Sequence, residues 1–238
     1  MTPDTRARTA RAWMDEATVT LLDEVVRLDD EALDAPSALP GWTRRHLLAH
    51  VASNAGALGR LAGWALTGVP NTMYASPAER VTDIESGSRL PAAELRAWVT
   101  SSAQRLAADL DRLPGPAWQH QVITAQGRTV PASEIPWLRA REVGVHAIDL
   151  LTGSGFDDLP PGMCEALLLD VATHRSGRDG GPSVLLLSTD GGGPWQITGA
   201  EPEAVVSASR ADLTRWVTGR GSHGMEAEGP LPELGPWL

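Results

Sequence analysis

Four stretches with the helical spacing of apolar residues come first in this chain, and β-type runs appear only after Thr152-Gly153-Ser154-Gly155. That order predicts a helical bundle followed by a small mixed domain. The first stretch runs from about Arg6 to Leu33, with Trp13, Val19, Leu21, Leu22, Val25 and Val26 on its pattern, and it ends in the loop sequence DAPSALPGW. Thr43 is a fitting N-cap for the second, which carries Leu47, Leu48, Val51, Leu58, Leu61, Trp64 and Leu66 and stops at Thr67-Gly68-Val69-Pro70. Residues 70 to 90 read as a polar connection that contributes nothing to a core, and connections of that length are often functional. The third stretch runs from about Pro91 through Leu95, Trp98, Val99, Leu106 and Leu110 to the stop at Leu113-Pro114-Gly115-Pro116. After the short strand-like pieces VIT and RTV, the fourth begins near Ala132 or Ser133 and reaches Leu151, with Ile135, Leu138, Val145, Ile148 and Leu151 toward a core. Four such helices suggest a bundle.

Beyond Gly155 the expectation is one more helix at about 161 to 175, then strands in SVLLLST and PWQITG around the turn DGGG, and a third strand in AVVSAS. Ala211 to Thr218 reads as a short closing helix, and GSHGMEAEGPLPELGPWL as a tail punctuated by glycine and proline. The expected domains are therefore a four-helix bundle over residues 1–155 and a small α+β domain over 156–238.

No apolar run approaches the roughly 18 residues that span a bilayer, and the first residues lack the apolar stretch of a secretory signal. With Cys164 as the single cysteine an internal disulfide is impossible; a cytoplasmic protein is expected, with Cys164 a small buried residue. The formal charge is -10 with no basic block, so nucleic acid is not an expected partner, nor is a membrane. All 20 basic residues are arginine, which excludes lysine Schiff-base and P-loop chemistry. An anionic substrate would have to be held by arginine, whose planar fork suits carboxylates.

The candidate chemistry lies in two helical segments. Glu142 and His146, in REVGVHAID, are four apart and share a helical face. His50, in PGWTRRHLLAH, sits in an otherwise apolar register where an unpartnered imidazole is costly. Two imidazoles and a carboxylate that converged would bind a divalent metal with a position left open. His46 and His50 are also four apart, and spacing does not rank them. A half-exposed polar pair and a satisfied core histidine are the commoner outcomes of such spacings. His120, His174 and His223 read as exposed, and Trp13, Trp64, Trp98 and Trp137 fit core stripes.

The stretches LPGWTRRHLLAHVASNAGAL, WALTGVPNTMYASPAER and WLRAREVGVHAIDL, with ADLTRWVTGRG near the C-terminus, resemble the mycothiol-dependent maleylpyruvate isomerase family across essentially the whole chain. That family lies within the DinB-like superfamily of four-helix metal proteins, so the resemblance implies a DinB-like N-terminal bundle. It implies metal ligation, usually of zinc, by His50, Glu142 and His146, with His46 a neighbour. It suggests Arg80 and Arg220 as active-site cations that bind a dicarboxylate substrate; if both serve one substrate, the site is an interdomain cleft. The implied partners are that small molecule and mycothiol, and the implied state is a monomer or weak homo-oligomer.

The implied reaction converts maleylpyruvate to fumarylpyruvate, as in gentisate-type aromatic degradation. Rotation about the cis bond is blocked while it stays double. Addition of the thiol of mycothiol makes it single, and elimination after rotation gives the trans product. Zinc would keep the thiol ionised, and arginine would stabilise the enolate. Two other readings stay open: a mycothiol S-transferase in which the thiol remains on another electrophile, and a non-catalytic stress-response module in which zinc staples two helices.

Overall fold

Apolar periodicity and capping set the helices, in a computed structural model that describes residues 3–235 and 237. Met1 and Thr2 of the expected first domain, and Pro236 and Leu238 of the expected tail, lie outside the described residues. The chain divides into two units, Met1–Gly153 and Ser154–Leu238.

The first unit holds α1 (Pro3–Arg27), α2 (Arg44–Thr67), α3 (Pro77–Ser88), α4 (Ala92–Asp111) and α5 (Ile135–Asp149). A hairpin of β1 (Gln121–Ile123) and β2 (Thr129–Pro131) precedes α5. Helix α1 packs against α5, and α2 against α4, α3 and α5. Leu21, Val25, Leu47, Leu48, Val51, Leu95, Val99, Val143 and Leu150 share the core between them. Cross-links show the directions: Arg11 pairs with Asp111 and Arg96 with Asp30, so α1 and α4 run antiparallel, and Arg139 of α5 donates to the Val51 carbonyl of α2.

Three expectations need correction. The segment 70 to 90 is not a plain connection, because Ser76 caps α3 by accepting the Glu79 N–H at 3.1 Å and Pro77 fills its first position. Gly87 lets α3 approach closely: a Cβ there would lie 2.4 Å from the Trp98 ring and 2.9 Å from the Ala49 Cβ. The first helix ends at Arg27 rather than Leu33, which is buried in a separate 3-10 turn at Ala32–Asp34. The core face of α5 is more polar than its pattern suggests. Leu151 is exposed beyond the helix end, while Arg139, Arg141 and Asp149 are buried. Of the four tryptophans placed on core stripes, Trp137 is buried and Trp13, Trp64 and Trp98 are half-buried.

The second unit has α6 (Pro161–Arg175), β3 (Pro182–Ser188), β4 (Trp195–Ile197), β5 (Ala200–Ala208), α7 (Arg210–Val217) and β6 (Glu226–Ala227). The sheet order is β4-β3-β5-β6, with β3 and β5 parallel and the outer pairings antiparallel. Helices α6 and α7 pack on each other and against the sheet, which buries Cys164. Arg175, buried at the end of α6, donates to the carbonyls of Val217 and Gly235 and so ties the tail to this unit. A helical bundle and a small sheet-containing unit are the fold class expected from the order of the elements.

Candidate metal centre

Helix α2 begins at a reciprocal cap. Thr43 Oγ1 accepts from the backbone of the third helical residue, His46, and the His46 ring takes the Thr43 N–H at 3.3 Å. His46 Nδ1 is also 2.8 Å from the Thr43 hydroxyl, and its Nε2 lies 3.8 Å from Glu85. The ring is therefore spent on the helix start. One turn later His50 is buried and faces α5.

His50 Nε2 lies 3.2 Å from Glu142 Oε2, and His146 Nε2 lies 3.4 Å from the same oxygen. The three donor atoms all fall within 4.8 Å of one another. A tetrahedral ion with ligand distances of about 2.0–2.1 Å separates its donors by about 3.3 Å, the spacing of each imidazole nitrogen from the Glu142 oxygen. The imidazole rings of His50 and His146 meet edge-on with centroids 5.1 Å apart, and Trp42 packs edge-on against His50 at 5.6 Å. These aromatic rings wall one side of the cluster.

Behind His146, the fully buried Asp149 carboxylate accepts the Nδ1–H at 2.8 Å. That bond fixes the tautomer in which the Nε2 lone pair faces the other donors. Burial works against the charge on His146, yet hydrogen bonds to Asp149 and Glu142 outweigh it and raise its pKa. Burial likewise opposes charge on Glu142, but hydrogen bonds from His146 and His50 hold its pKa well below the ordinary carboxylate range. For His50 burial wins over the Glu142 bond and lowers the pKa, so this imidazole stays neutral at physiological pH. The cluster thus supplies an ionised carboxylate, a neutral imidazole and a second imidazole that Asp149 orients and whose proton competes with a metal more strongly than an ordinary imidazole's.

Arg80, on the first turns of α3, reaches the other edge of His50, with its Nη2 3.4 Å from Nδ1. Arg220 belongs to the second unit, two residues past the end cap of α7. Its guanidinium donates to the Thr218 carbonyl at 2.5 Å and lies over the Trp237 ring at 6.0 Å. His120, His174 and His223 are exposed, as their positions in turns and helix ends imply.

Residues that pattern reading passed over also surround the cluster. Arg139, one helical turn before Glu142, is fully buried and donates to the Val51 carbonyl at 2.8 Å and to Asn54 Oδ1 at 3.0 Å. Its Nη2 has no hydrogen-bond partner among the described residues, and desolvation lowers its pKa to about 10, which leaves it charged at neutral pH. Ser53 of α2 donates to Asp83 of α3 at 3.2 Å, and Tyr74 packs beneath Arg60. An arginine in the middle of an apolar helix face was the one available signal for Arg139.

A helical bundle whose facing helices gather two histidines and a glutamate defines a class of bundle proteins built for a divalent metal. The chain belongs to the mycothiol maleylpyruvate isomerase family: the N-terminal domain of that family matches residues 2–151, and its C-terminal domain matches residues 158–236. A crystal structure of the mycothiol-dependent maleylpyruvate isomerase is 36% identical, with a TM-score of 0.90 over 98% of this chain and 97% of that one. A mutant of that isomerase with one histidine replaced by alanine is 35% identical, also with a TM-score of 0.90, over 98% of this chain and 97% of the other. YfiT from Bacillus subtilis, a probable metal-dependent hydrolase with an unusual four-helix bundle topology, shares the fold at 15% identity. Its TM-score is 0.51, over 63% of this chain and 87% of its own. No curated protein sequence matches the chain. Among the described residues no helix is long and apolar enough to cross a membrane.

Proposed function

We propose that this protein is a mycothiol-dependent cis–trans isomerase that converts maleylpyruvate to fumarylpyruvate. The observation that carries the reading is the convergence of His50, Glu142 and His146 within 4.8 Å, in a chain that matches the family over both domains. Three protein donors leave a tetrahedral ion one position for a small ligand, whereas a structural zinc site is closed by four. These residues would hold zinc or another divalent metal, which supplies the positive charge that keeps a bound thiol ionised at neutral pH.

Each side chain has a separate task. Glu142 contributes the one full negative charge of the donor set, and its low pKa keeps that charge in place. Asp149 orients His146 through Nδ1, and Trp42 screens His50 from water on its edge. Arg80, 3.4 Å from His50, is assigned to a substrate carboxylate or the oxyanion of an enolate. Arg220 is assigned as a second cation for the dicarboxylate, on the match of its VTGRG sequence to the family. The single cysteine is not a nucleophile: burial pushes the Cys164 thiol up to about 11, and the sulfur of the reaction comes with mycothiol.

The protein is assigned to the cytoplasm as a monomer or weak homo-oligomer, with no nucleic-acid partner. Turnover of maleylpyruvate measured with and without mycothiol tests the reading directly. Activity only with the thiol is expected; equal activity without it, or stable conjugation in place of isomerisation, refutes it. Purified protein should hold about one metal per chain. His50→Ala and Glu142→Ala should lose it, and normal metal content in both would remove the trio from the assignment. Arg220→Ala should lower turnover while retaining the metal.

A further inference from the structure

The metal ligands stand on two helices whose main packing partners differ: α5 lies chiefly on α1, and α2 on α4 and α3. The seam between α2 and α5 must nevertheless hold His50 Nε2 3.2 Å from Glu142 Oε2. A slip of one residue along either helix moves a donor by about 1.5 Å, more than a metal site accepts. Apolar contacts across the seam are non-directional and leave such a slip open, so directional bonds are needed to fix it.

Two arginines make those bonds, one from each helix and one to each side of the cluster along the helix axes. Arg139 comes three residues before Glu142 and seven before His146, on the same face of α5. Its Nη1 alone donates to the Val51 carbonyl at 2.8 Å and to Asn54 Oδ1 at 3.0 Å, which belong to the residue after His50 and to the residue one turn beyond it. Arg44, the first residue of α2, reaches the opposite way: its Nε and Nη2 donate to the Leu150 and Leu151 carbonyls at 2.6 and 3.1 Å, one turn past His146. These bonds satisfy carbonyls at the end of α5 and put a cation where the helix dipole favours one. They also hold Leu151, at φ 56°, in the left-handed region that glycine usually fills at a helix end. Along the antiparallel pair the ties run in the order Arg44 to Leu150, His50 to Glu142 and Asn54 to Arg139.

We propose that Arg44 and Arg139 are positioning residues for the metal site, a reciprocal pair of guanidinium straps that fix the register of α2 on α5 so that His50 meets Glu142 and His146. This rests on the metal-binding part of the isomerase reading and on neither its substrate nor its thiol. Neither arginine ligates the ion; each acts through the helix that receives its bonds. Asp149 turns one ligand ring, and the straps set the approach of the two helices that carry the ligands.

Arg44→Met and Arg139→Met each remove one strap and keep an unbranched side chain. Zinc affinity measured against a chromophoric chelator should fall about tenfold or more in each, the scale of losing an outer support of a metal site. Arg139→Lys restores a nitrogen with several N–H groups for the two acceptors that Nη1 serves, and should recover affinity to within about threefold of the parent. Leu110→Ala separates positioning from general loss of stability. Leu110 is buried in the last turn of α4, where Asp109 abuts Gly59, more than about two turns beyond His50 on α2. That variant should unfold at lower urea yet bind zinc within about twofold of the parent. Cobalt(II) in place of zinc reads the geometry: the strap variants should lose visible absorption per bound cobalt as solvent joins a loosened shell, and Leu110→Ala should not. Parent-like zinc affinity and cobalt spectra in both methionine variants overturn the proposal, and so does an equal loss in Leu110→Ala. If Arg139→Met does not fold, Asn54→Ala removes one of its acceptors and takes its place; a loss of about threefold or more is expected, and none overturns the role of Arg139. A parent protein that binds no zinc refutes the metal reading itself, and the straps with it.

Discussion

Asp149 offers the sharpest perturbation of the cluster, because it touches one donor and is fully buried behind it. Asp149→Asn keeps the size of the side chain and an oxygen that accepts the His146 Nδ1–H, so the tautomer survives and only the charge is lost. Removing such a partner behind a ligating histidine typically costs 10–100-fold in metal affinity, or about 1.4–2.7 kcal/mol. The same substitution acts on the proton that competes with the metal. Asp149 is the stronger of the two hydrogen-bonding partners that raise the His146 pKa, so in the variant His146 holds its proton less tightly. The two effects oppose each other below the raised His146 pKa, where proton competition matters, and only the weaker ligation remains once the pH is well above it. Zinc affinity measured against a chromophoric chelator across this range should therefore show a defect that grows with pH toward the full 10–100-fold. A defect below about twofold at the alkaline end would show that the Asp149 charge does not tune His146. A constant ratio at every pH would show that Asp149 does not set the His146 pKa.

In the parent protein, zinc affinity should fall about tenfold per pH unit once the pH drops below the raised pKa of His146, with onset above the ordinary imidazole value near 6.5. The slope should be one proton, because the lowered pKa of His50 keeps it neutral there; a two-proton slope in a chelator titration would contradict that assignment. The protein-stability sign runs the other way for metal-free His146. Its contribution is fully present below the unfolded pKa and is lost as pH rises through the folded one. His46→Ala should cost about 1 kcal/mol in urea unfolding through loss of the α2 cap, with metal content unchanged; metal loss would return His46 to the ligand set. Arg139→Met should destabilise by about 2 kcal/mol or more, since the buried Val51 carbonyl and Asn54 lose their donor, and unchanged unfolding would show that neither group needs it.

Helix existence was legible because α1, α2, α4 and α5 each carry long apolar stripes, and Thr43 and Gly68 bracket α2 with the chemistry of a cap and a left-handed stop, φ 72°. Helix α3 escaped because only Ile84, Gly87 and Ser88 of its residues are buried, too few for a stripe, although Ser76-Pro77 and Glu79 spelled a helix start. Glu142 and His146 were legible as a pair through their spacing. Joining them to His50 depends on the antiparallel register of α2 and α5, a long-range fact that spacing alone does not carry. Local pattern could not rank His46 and His50. The difference lies in the cap that occupies His46 and in the helix face that turns His50 toward α5. Arg139 was invisible beside the cluster, since it breaks an apolar face.

The charge distribution resolves an apparent conflict between an acidic protein and an anionic substrate. The chain carries a formal charge of -10, yet Arg80 and Arg139 lie beside a cluster whose nearby carboxylates are Glu142, Asp149 and Asp83. At physiological ionic strength the screening length is about 8 Å, so surface carboxylates farther away contribute little inside the pocket, whereas partly desolvated guanidiniums act at close range. Two arginines and a divalent metal against three carboxylates would leave an excess of positive charge that solvent compensates poorly in a buried site. A thiolate and a dicarboxylate supply the missing anions. The overall negative charge then limits nonspecific association of the protein, and the proposed hold on a dianion rests on local arginines rather than on the net charge.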